Sequence, residues 1–503
     1  MTTAGRGGWV VLLAVALCAC RPALVWHGHD PHRQHRVEVV ESWGGQELRL
    51  DGKPGERFHG IAIEAIVFSE DGQRLAYAGQ SDEGWHVVSG GKRGPAHDGI
   101  GAMVLSPSGD RLAYAAIDGK VWRVFLDGSQ GPPLEAVLDG TLRFSKDGAH
   151  LVYVAHRTRG VTVVFDQQPG PAFDGIRQLH LAPDSGEPVY VARRGRRSFV
   201  VQGSSEGPAY DGIGELTVAP GRVAYAALRE PHWHAVVDGR LGRPYDRVDA
   251  LSFAPGGKRL AYLAQAGGKH VVVVDDVPSV PHAEVIRSTL TFSPTGRLFY
   301  AARLGGPAAA QEQDRQPGRH PGPAGKERKE RKEGVRMVVD GQPTDPYDEL
   351  SRPVFSAAAD RWGFVAQRAG RTVVVIDGRP SVPYTMASDL TFTADGSGHA
   401  YLARRGPHDG VVWNGQRSAV PAPVQGTLVL HPSGEHWACL AAIRGTGGLH
   451  LVVDGLPGKR FDMDELTAEL ARTRAAPLHW RSTATAWIRR WVAVELARAL
   501  GRD

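Results

Sequence analysis

Hydrophobic and polar positions alternate along most of this chain in short runs of five to seven residues, separated by turn residues. The stretch from Ala235 to Ala264 shows the pattern. Ala235-Val236-Val237 is an apolar run that ends in Asp238-Gly239, a strong hairpin-turn signal. Gly242-Arg243-Pro244-Tyr245-Asp246 reads as a short returning strand, and Leu251-Ser252-Phe253 as an alternating one. Ala254-Pro255-Gly256-Gly257 makes the next turn before Arg259 to Ala264. Four short antiparallel strands are predicted from one such stretch.

The same pattern returns. A phrase close to Phe-Ser-Pro-Asp-Gly-x-Arg-Leu-Ala-Tyr ends at Tyr77, Tyr114, Tyr153, Tyr190, Tyr225, Tyr262, Tyr300, Phe364, Tyr401 and Cys439. The intervals are 35 to 39 residues, except for one of 64 after Tyr300. A second phrase, Val-Val-Asp-Gly, has its turn position at Asp51, Ser89, Asp127, Asp166, Gln202, Asp238, Asp275, Asp340, Asp377, Asn414 and Asp454. A fixed period of this length signals a repeat architecture, with one supersecondary unit per period. Eleven of one phrase flank ten of the other. The expectation is therefore a chain that starts and stops inside a repeat, so that strands from both termini would share one sheet and leave no exposed edge.

The phrases Phe68-Ser-Glu-Asp-Gly72, Leu105-Ser-Pro-Ser-Gly109, Phe144-Ser-Lys-Asp-Gly148 and Phe292-Ser-Pro-Thr-Gly296 resemble the WD40-like PD40 repeat of TolB-type β-propellers. The resemblance covers about residues 48 to 462. It implies an all-β fold, a β-propeller of about ten four-stranded repeats, either as one large ring or as two smaller ones. It also implies partner binding in the periplasm. The chain departs from the family in its Val-Val-Val-Asp-Gly strand and in its repeat number.

Segments outside the repeats change the picture at both ends. Arg6 precedes an apolar run from Trp9 to Ala19, which is too short to cross a bilayer as a helix. The run closes on Leu17-Cys18-Ala19-Cys20, which resembles a bacterial lipobox with Cys20 as the lipidated residue. Residues 1–19 are then a lipoprotein signal peptide, and 20–36 a His-rich tether. Arg21, in place of an aspartate, favours the outer membrane. Residues 305–334, Pro- and Gly-rich and then densely charged, read as a solvated insertion between two strands of one repeat. After Phe461 the repeats stop. Residues 463–503 predict two short helices, the second with Trp487, Ile488, Trp491, Val492 and Leu496 on its apolar face.

Composition adds little. The chain of 503 residues has a formal net charge of +5 and three cysteines. No basic stripe with interleaved aromatics marks nucleic-acid binding, and with Cys20 lipidated no intramolecular disulfide is available to the folded body.

Candidate chemistry is sparse. No metalloprotease, Cys-x-x-Cys or phosphate-loop motif occurs, and no cofactor is implied. Gly203-Ser204-Ser205-Glu206-Gly207 matches a nucleophile elbow, yet it occupies a hairpin turn with no helix following, so Ser205 reads as part of a turn. An acidic residue recurs after the Gly-Pro turn, at Asp98, Glu135, Asp174, Asp211, Asp246, Glu284 and Asp348. Equivalent positions of a propeller would present these on one face to a cation or a basic partner segment. The simpler role is fixing a turn through backbone N–H groups. His27, His29, His32 and His35 are weak metal-ligand candidates on a tether.

Taken together, these features predict a lipid-anchored envelope protein whose repeats bind a protein or peptide partner without catalysis. The alternative is a propeller-type lyase or glycosidase with a loop-built site over a central channel.

Overall fold

In a computed structural model the protein is described for residues 23–30, 34–304, 334–358, 360–443, 448–461, and 492, 493 and 496. The described chain is all-β: ten antiparallel sheets, each a meander of consecutive strands. One sheet is eight-stranded and holds two repeats, joined where His270 pairs with His282. This is a β-propeller repeat fold. Two compact units divide the chain, Met1–Gly221 and Arg222–Asp503.

Unit one opens with a complete sheet of Ala23–His29, Arg36–Ser42, Gly45–Leu50 and Lys53–Phe58. Repeats two to five follow, from Gly60–Phe68 to Ser205–Glu206, and then the strand Gly212–Ala219. Unit two begins with Arg222–Arg229, His232–Val237 and Arg240–Tyr245. Repeat seven starts at Arg247–Phe253 and repeat eight at His282–Phe292. The last repeat runs from Val429–Leu430 to Leu456–Phe461.

Three features of the sequence reading are corrected. Neither terminal repeat borrows a strand, because each is completed from its own segment. The supposed tether supplies the missing strand: Ala23–His29 pairs with Arg36–Ser42, and Trp26 packs into the first core cluster. An unpaired edge on Arg36–Ser42 is thereby covered. In two hairpins the turn begins one residue later than expected. Gly90 and Gly203 have φ of 57° and 55° and hold the place of the turn aspartate, while Ser89 and Gln202 are the last strand residues. Cys20 and the insertion from 305 to 333 lie outside the described residues. The insertion's ends are held as a hairpin, since Arg303 pairs with Val335. Of the C-terminal segment, Val492 and Leu496 are helical and buried on the last sheet, while Trp487, Ile488 and Trp491 lie outside the described residues.

Each letter of the repeat phrase has a physical task. The serine is buried and accepts the N–H that closes its own turn, as Ser106 does from Arg111 at 3.1 Å and Ser145 from His150 at 3.0 Å. The glycine has positive φ, 74° at both Gly72 and Gly109, a conformation that costs a side-chained residue. The closing tyrosine is buried at every occurrence from Tyr77 to Tyr401, as are Phe364 and Cys439 in its place. It meets a ring from the end of the preceding repeat edge-on: Tyr77 against Phe58, Tyr190 against Phe173, Tyr262 against Tyr245. Such pairs add about 0.5–1.5 kcal/mol beyond the area they bury. Burial pushes the hydroxyls of Tyr77, Tyr114, Tyr190 and Tyr300 up to about 12.

The arginine ties repeats together. Arg361 donates to Asp377 Oδ2 at 2.5 Å, within its own repeat. It also donates to the Gly396 carbonyl of the next repeat at 2.9 Å and lies 5.8 Å from the centre of the Phe392 ring. Arg111 repeats this arrangement on Asp127, Ala149 and Phe144, and Arg222 on Asp238, Gly257 and Phe253. The aspartate's other oxygen accepts a strand N–H, from Val223 to Asp238 at 3.0 Å and from Trp362 to Asp377 at 3.0 Å. These aspartates sit in the left-handed region, with φ of 49° at Asp238 and 48° at Asp377, followed by a glycine that is also positive. That is a type I′ hairpin, which matches the strand twist.

Asp377→Ala leaves two donors unmet and puts alanine in a left-handed conformation. It is expected to lower unfolding free energy by about 1–3 kcal/mol. Asp377→Asn keeps the Trp362 bond and should cost less than half of that. Chemical denaturation of the two variants checks the ranking. Cys439 is fully buried, and burial pushes its thiol up to about 12. In a chain carrying Cys18→Ser and Cys20→Ser, a thiol reagent at neutral pH should therefore react only at the rate of unfolding.

Candidate functional site

Several of the recurring acids follow a ring that packs against the next tyrosine, as in Phe173-Asp174 and Tyr245-Asp246, while Glu135 follows Leu134 and Glu284 follows Ala283. All seven are exposed. Four make the same bond. Asp98, Asp174, Asp246 and Asp348 accept the backbone N–H of Gly119, Gly195, Gly267 and Ala369, at 2.7, 2.6, 2.8 and 2.8 Å. Each of those residues lies in the turn between the second and third strands of a repeat. One carboxylate oxygen is thus spent on a turn. Asp211 instead pairs with Arg197 at 2.5 Å, and Glu284 with Arg303 at 2.9 Å. The Glu135 backbone N–H donates to the His156 carbonyl at 3.0 Å. In each unit the acids recur at equivalent places, fixed by the frame.

The histidine tract does not converge. His27 and His29 lie on the first strand, and His35 Nδ1 is 2.7 Å from Asp51 Oδ2. That bond, chiefly, raises the His35 pKa. His32 lies outside the described residues. Among the described residues no group of three or more His, Cys, Asp or Glu is arranged to hold a metal ion. Ser205 directly follows the two-residue turn Gly203-Ser204 and pairs with Gln202. No helix follows it, because the next strand begins at Gly212.

Sequence reasoning missed one feature, a cavity of about 220 Å³ between repeats seven and eight. Its walls are Arg247 and Asp249 from the first strand of repeat seven, Leu263 to Gln265 from the second and His270 from the third. Val285 and Arg287 from repeat eight close it. Arg247 Nε donates to Asp249 Oδ2 at 2.6 Å, while Arg287 Nε stands 3.7 Å from Asp249 Oδ1. Asp249 Oδ1 and His270 Nδ1 are buried without a hydrogen-bond partner. Such orphaned atoms are rare in folded proteins.

The cavity has a local cause. The innermost strand of several repeats carries one residue of positive φ at a bulge: Gln178 (51°), Ala250 (53°) and Asp389 (58°). Gln178 reaches the next inner strand, giving to the Gly214 carbonyl at 2.6 Å and taking from the Leu216 N–H at 2.8 Å. Asp389 likewise accepts the Gly426 N–H. Ala250 has only a methyl group and cannot make this bridge. The next inner strand also bulges between Ile286 and Thr291, which widens the gap.

No family model matches the chain, and no curated protein matches it. Solved structures show weak likeness. A crystal structure of a eukaryotic initiation factor aligns over 78% of this chain and 97% of its own, at 12% identity and a TM-score of 0.31. TolB from Acinetobacter baumannii aligns over 49% of this chain and 79% of its own, at 13% and 0.21. The β-propeller domain of the Trilobed protease from Pyrococcus furiosus aligns over 50% and 95%, at 12% and 0.22. At these values none of them bears on function, and the fold assignment rests on the sheets described above.

One buried and two half-buried histidines set an acid limit on the fold. Burial holds His180, His282 and His399 below the usual histidine value of 6.5. For His180 and His399 a nearby arginine adds to the effect, and for His282 it is His270. Below that value the unfolded chain takes up protons that the folded chain does not. Their contribution is therefore full above about pH 6.5 and is lost as pH falls. Unfolding free energy should decline on acidification from about pH 7 to 5, and His282→Gln should make that decline shallower. An unchanged slope in the variant would remove His282 from this account.

Proposed function

We propose that the protein is a lipid-anchored component of the bacterial cell envelope whose β-propeller repeats bind a protein or peptide partner without catalysis. The observation that carries this reading is the set of exposed acids at repeat-equivalent places. A carboxylate whose one oxygen is held by a backbone N–H is fixed in position while the residue stays exposed. Repeated within each unit, such groups suit a basic segment. Cys20 would carry the lipid, and several acyl chains would make the anchor stable, where one alone would be marginal. Among the described residues no helix is long and apolar enough to cross a membrane.

The resemblance of the repeat phrase to that of TolB-type propellers points the same way, towards partner binding in the periplasm, while Arg21 favours an outer-membrane anchor, periplasm-facing or surface-exposed. The lyase or glycosidase alternative asks for more. Glycoside hydrolysis generally uses two carboxylates facing one bond. The cavity between repeats seven and eight is lined by one, Asp249.

Affinity capture from detergent-solubilised membranes tests this reading. The intact chain should recover one stoichiometric protein partner, and recovery should fall as salt is raised. Replacing Asp98, Asp174, Asp246 and Asp348 together by asparagine keeps an acceptor at each turn and removes four charges. Recovery should drop about tenfold or more, with little loss of stability. Equal recovery by this variant would contradict the acidic positions as the contact. Cys20→Ser should move the protein from the membrane to the soluble fraction.

A further inference from the structure

We propose that the hairpin tip at Trp43 docks into the surface of the bilayer that holds the lipid anchor, a proposal that rests on the reading of Cys20 as lipidated. Trp43 and Gly44 form the two-residue turn between Arg36–Ser42 and Gly45–Leu50. The Trp43 side chain is 95% exposed. Hydrating so large a ring is unfavourable, and an indole with its single N–H suits the headgroup layer of a bilayer. The tip is preformed. Gly44 and Gly45 have φ of 107° and 116°, and a Cβ at Gly45 would collide with the Phe58 carbonyl. The ring is therefore presented on a backbone that needs no further ordering. In repeats two to five the same turn reads Asp82-Glu83, Gly119-Lys120, Thr158-Arg159 and Gly195-Arg196. Among these five repeats only the first has an aromatic tip.

The place of the tip beside the anchor names the occupant. Ala23 pairs with Glu41, two residues before Trp43, so the first strand starts at the tip end of its sheet. At about 3.3 Å of rise per residue, the tip stands roughly 7 Å beyond Ala23. Cys20 precedes Ala23 by three residues, a span of at most about 11 Å. Acyl chains on Cys20 would hold Ala23 within that distance of the bilayer, a gap of the same order as the reach of the tip. Leu24, on the same strand, is 51% exposed and adds apolar surface. Charges set the depth. Arg57, whose side chain lies beside Gly44, pairs with Glu47 at 3.1 Å, and Glu41 is exposed across from Ala23. These groups keep the sheet itself in water, so that only the tip enters the headgroup layer.

Fluorescence quenching of the full mature chain in vesicles tests the contact, once its mass and its sedimentation with the vesicles have been measured. In phosphatidylcholine vesicles with brominated acyl chains, part of the tryptophan emission should be lost relative to plain vesicles. Acrylamide in the water should quench the vesicle-bound chain less than it quenches the Cys20→Ser chain free in solution. Both differences should disappear in Trp43→Phe, whose thermal transition should match that of the parent because the exposed ring supports no core. An unmodified Cys20 would overturn the anchor and this proposal with it. A lipidated, vesicle-bound chain whose emission ignores the brominated lipid, or whose quenching survives in Trp43→Phe, would overturn the docking of Trp43 and leave the anchor standing. Protection of Trp43 in native membranes but not in pure vesicles would assign the tip to a protein partner and equally overturn the docking.

Discussion

The structure depends on one arrangement, an aspartate in a left-handed hairpin turn with an arginine clamped on its carboxylate. One oxygen closes the hairpin by taking a strand N–H; the other holds the guanidinium. The guanidinium then has donors left for the next repeat, whose carbonyl it meets and whose phenylalanine it covers. Arg222, with Asp238, Gly257 and Phe253, makes all of these contacts. Each bond by itself is modest, since the groups are partly exposed and salt screens them. Their value lies in geometry. The turn aspartate fixes the arginine, and the arginine sets the spacing of the following repeat, so local turn chemistry becomes long-range order. Where arginine is absent, histidine takes the aspartate, as His150 does on Asp166 and His436 on Asp454, both at 2.6 Å.

A second contact works at the end of several repeats. In Phe173-Asp174 and Tyr245-Asp246 the ring lies edge-on to the buried tyrosine of the next repeat, and the acid after it ties down that repeat's turn between the second and third strands. Apolar packing and polar satisfaction therefore sit on adjacent residues. Asp174 and Asp246 each hold a turn N–H through one oxygen and remain exposed. This structural use explains why an exposed acidic position can recur so regularly.

Much of this was legible in the sequence because repetition makes local signals add. A single Phe-Ser-Pro-Asp-Gly is a weak turn signal; ten in register identify the fold. The same register demoted Ser205 from nucleophile to hairpin residue. What escaped depends on contacts across repeats. Ala23–His29 carries histidines that suggest a tether, and only the open edge of Arg36–Ser42 makes it a strand. Ser89-Gly90-Gly91 hides the turn position, because glycine stands where most of the hairpins have aspartate. The cavity follows from a missing side chain at Ala250, and a gap has no motif. Asp249 and His270 look ordinary until the repeat beside them is in place.

The coupling between neighbouring repeats is most directly measured by a double-mutant cycle on Arg222 and Phe253, which sit in successive repeats 5.2 Å apart. Unfolding free energies of Arg222→Met, Phe253→Leu and the double variant give the interaction term. The arginine clamp predicts a coupling of about 0.5–1 kcal/mol, with the double variant less destabilised than the sum of the singles. Strict additivity would mean that the arginine serves only its own hairpin and that the spacing of the repeats has another cause.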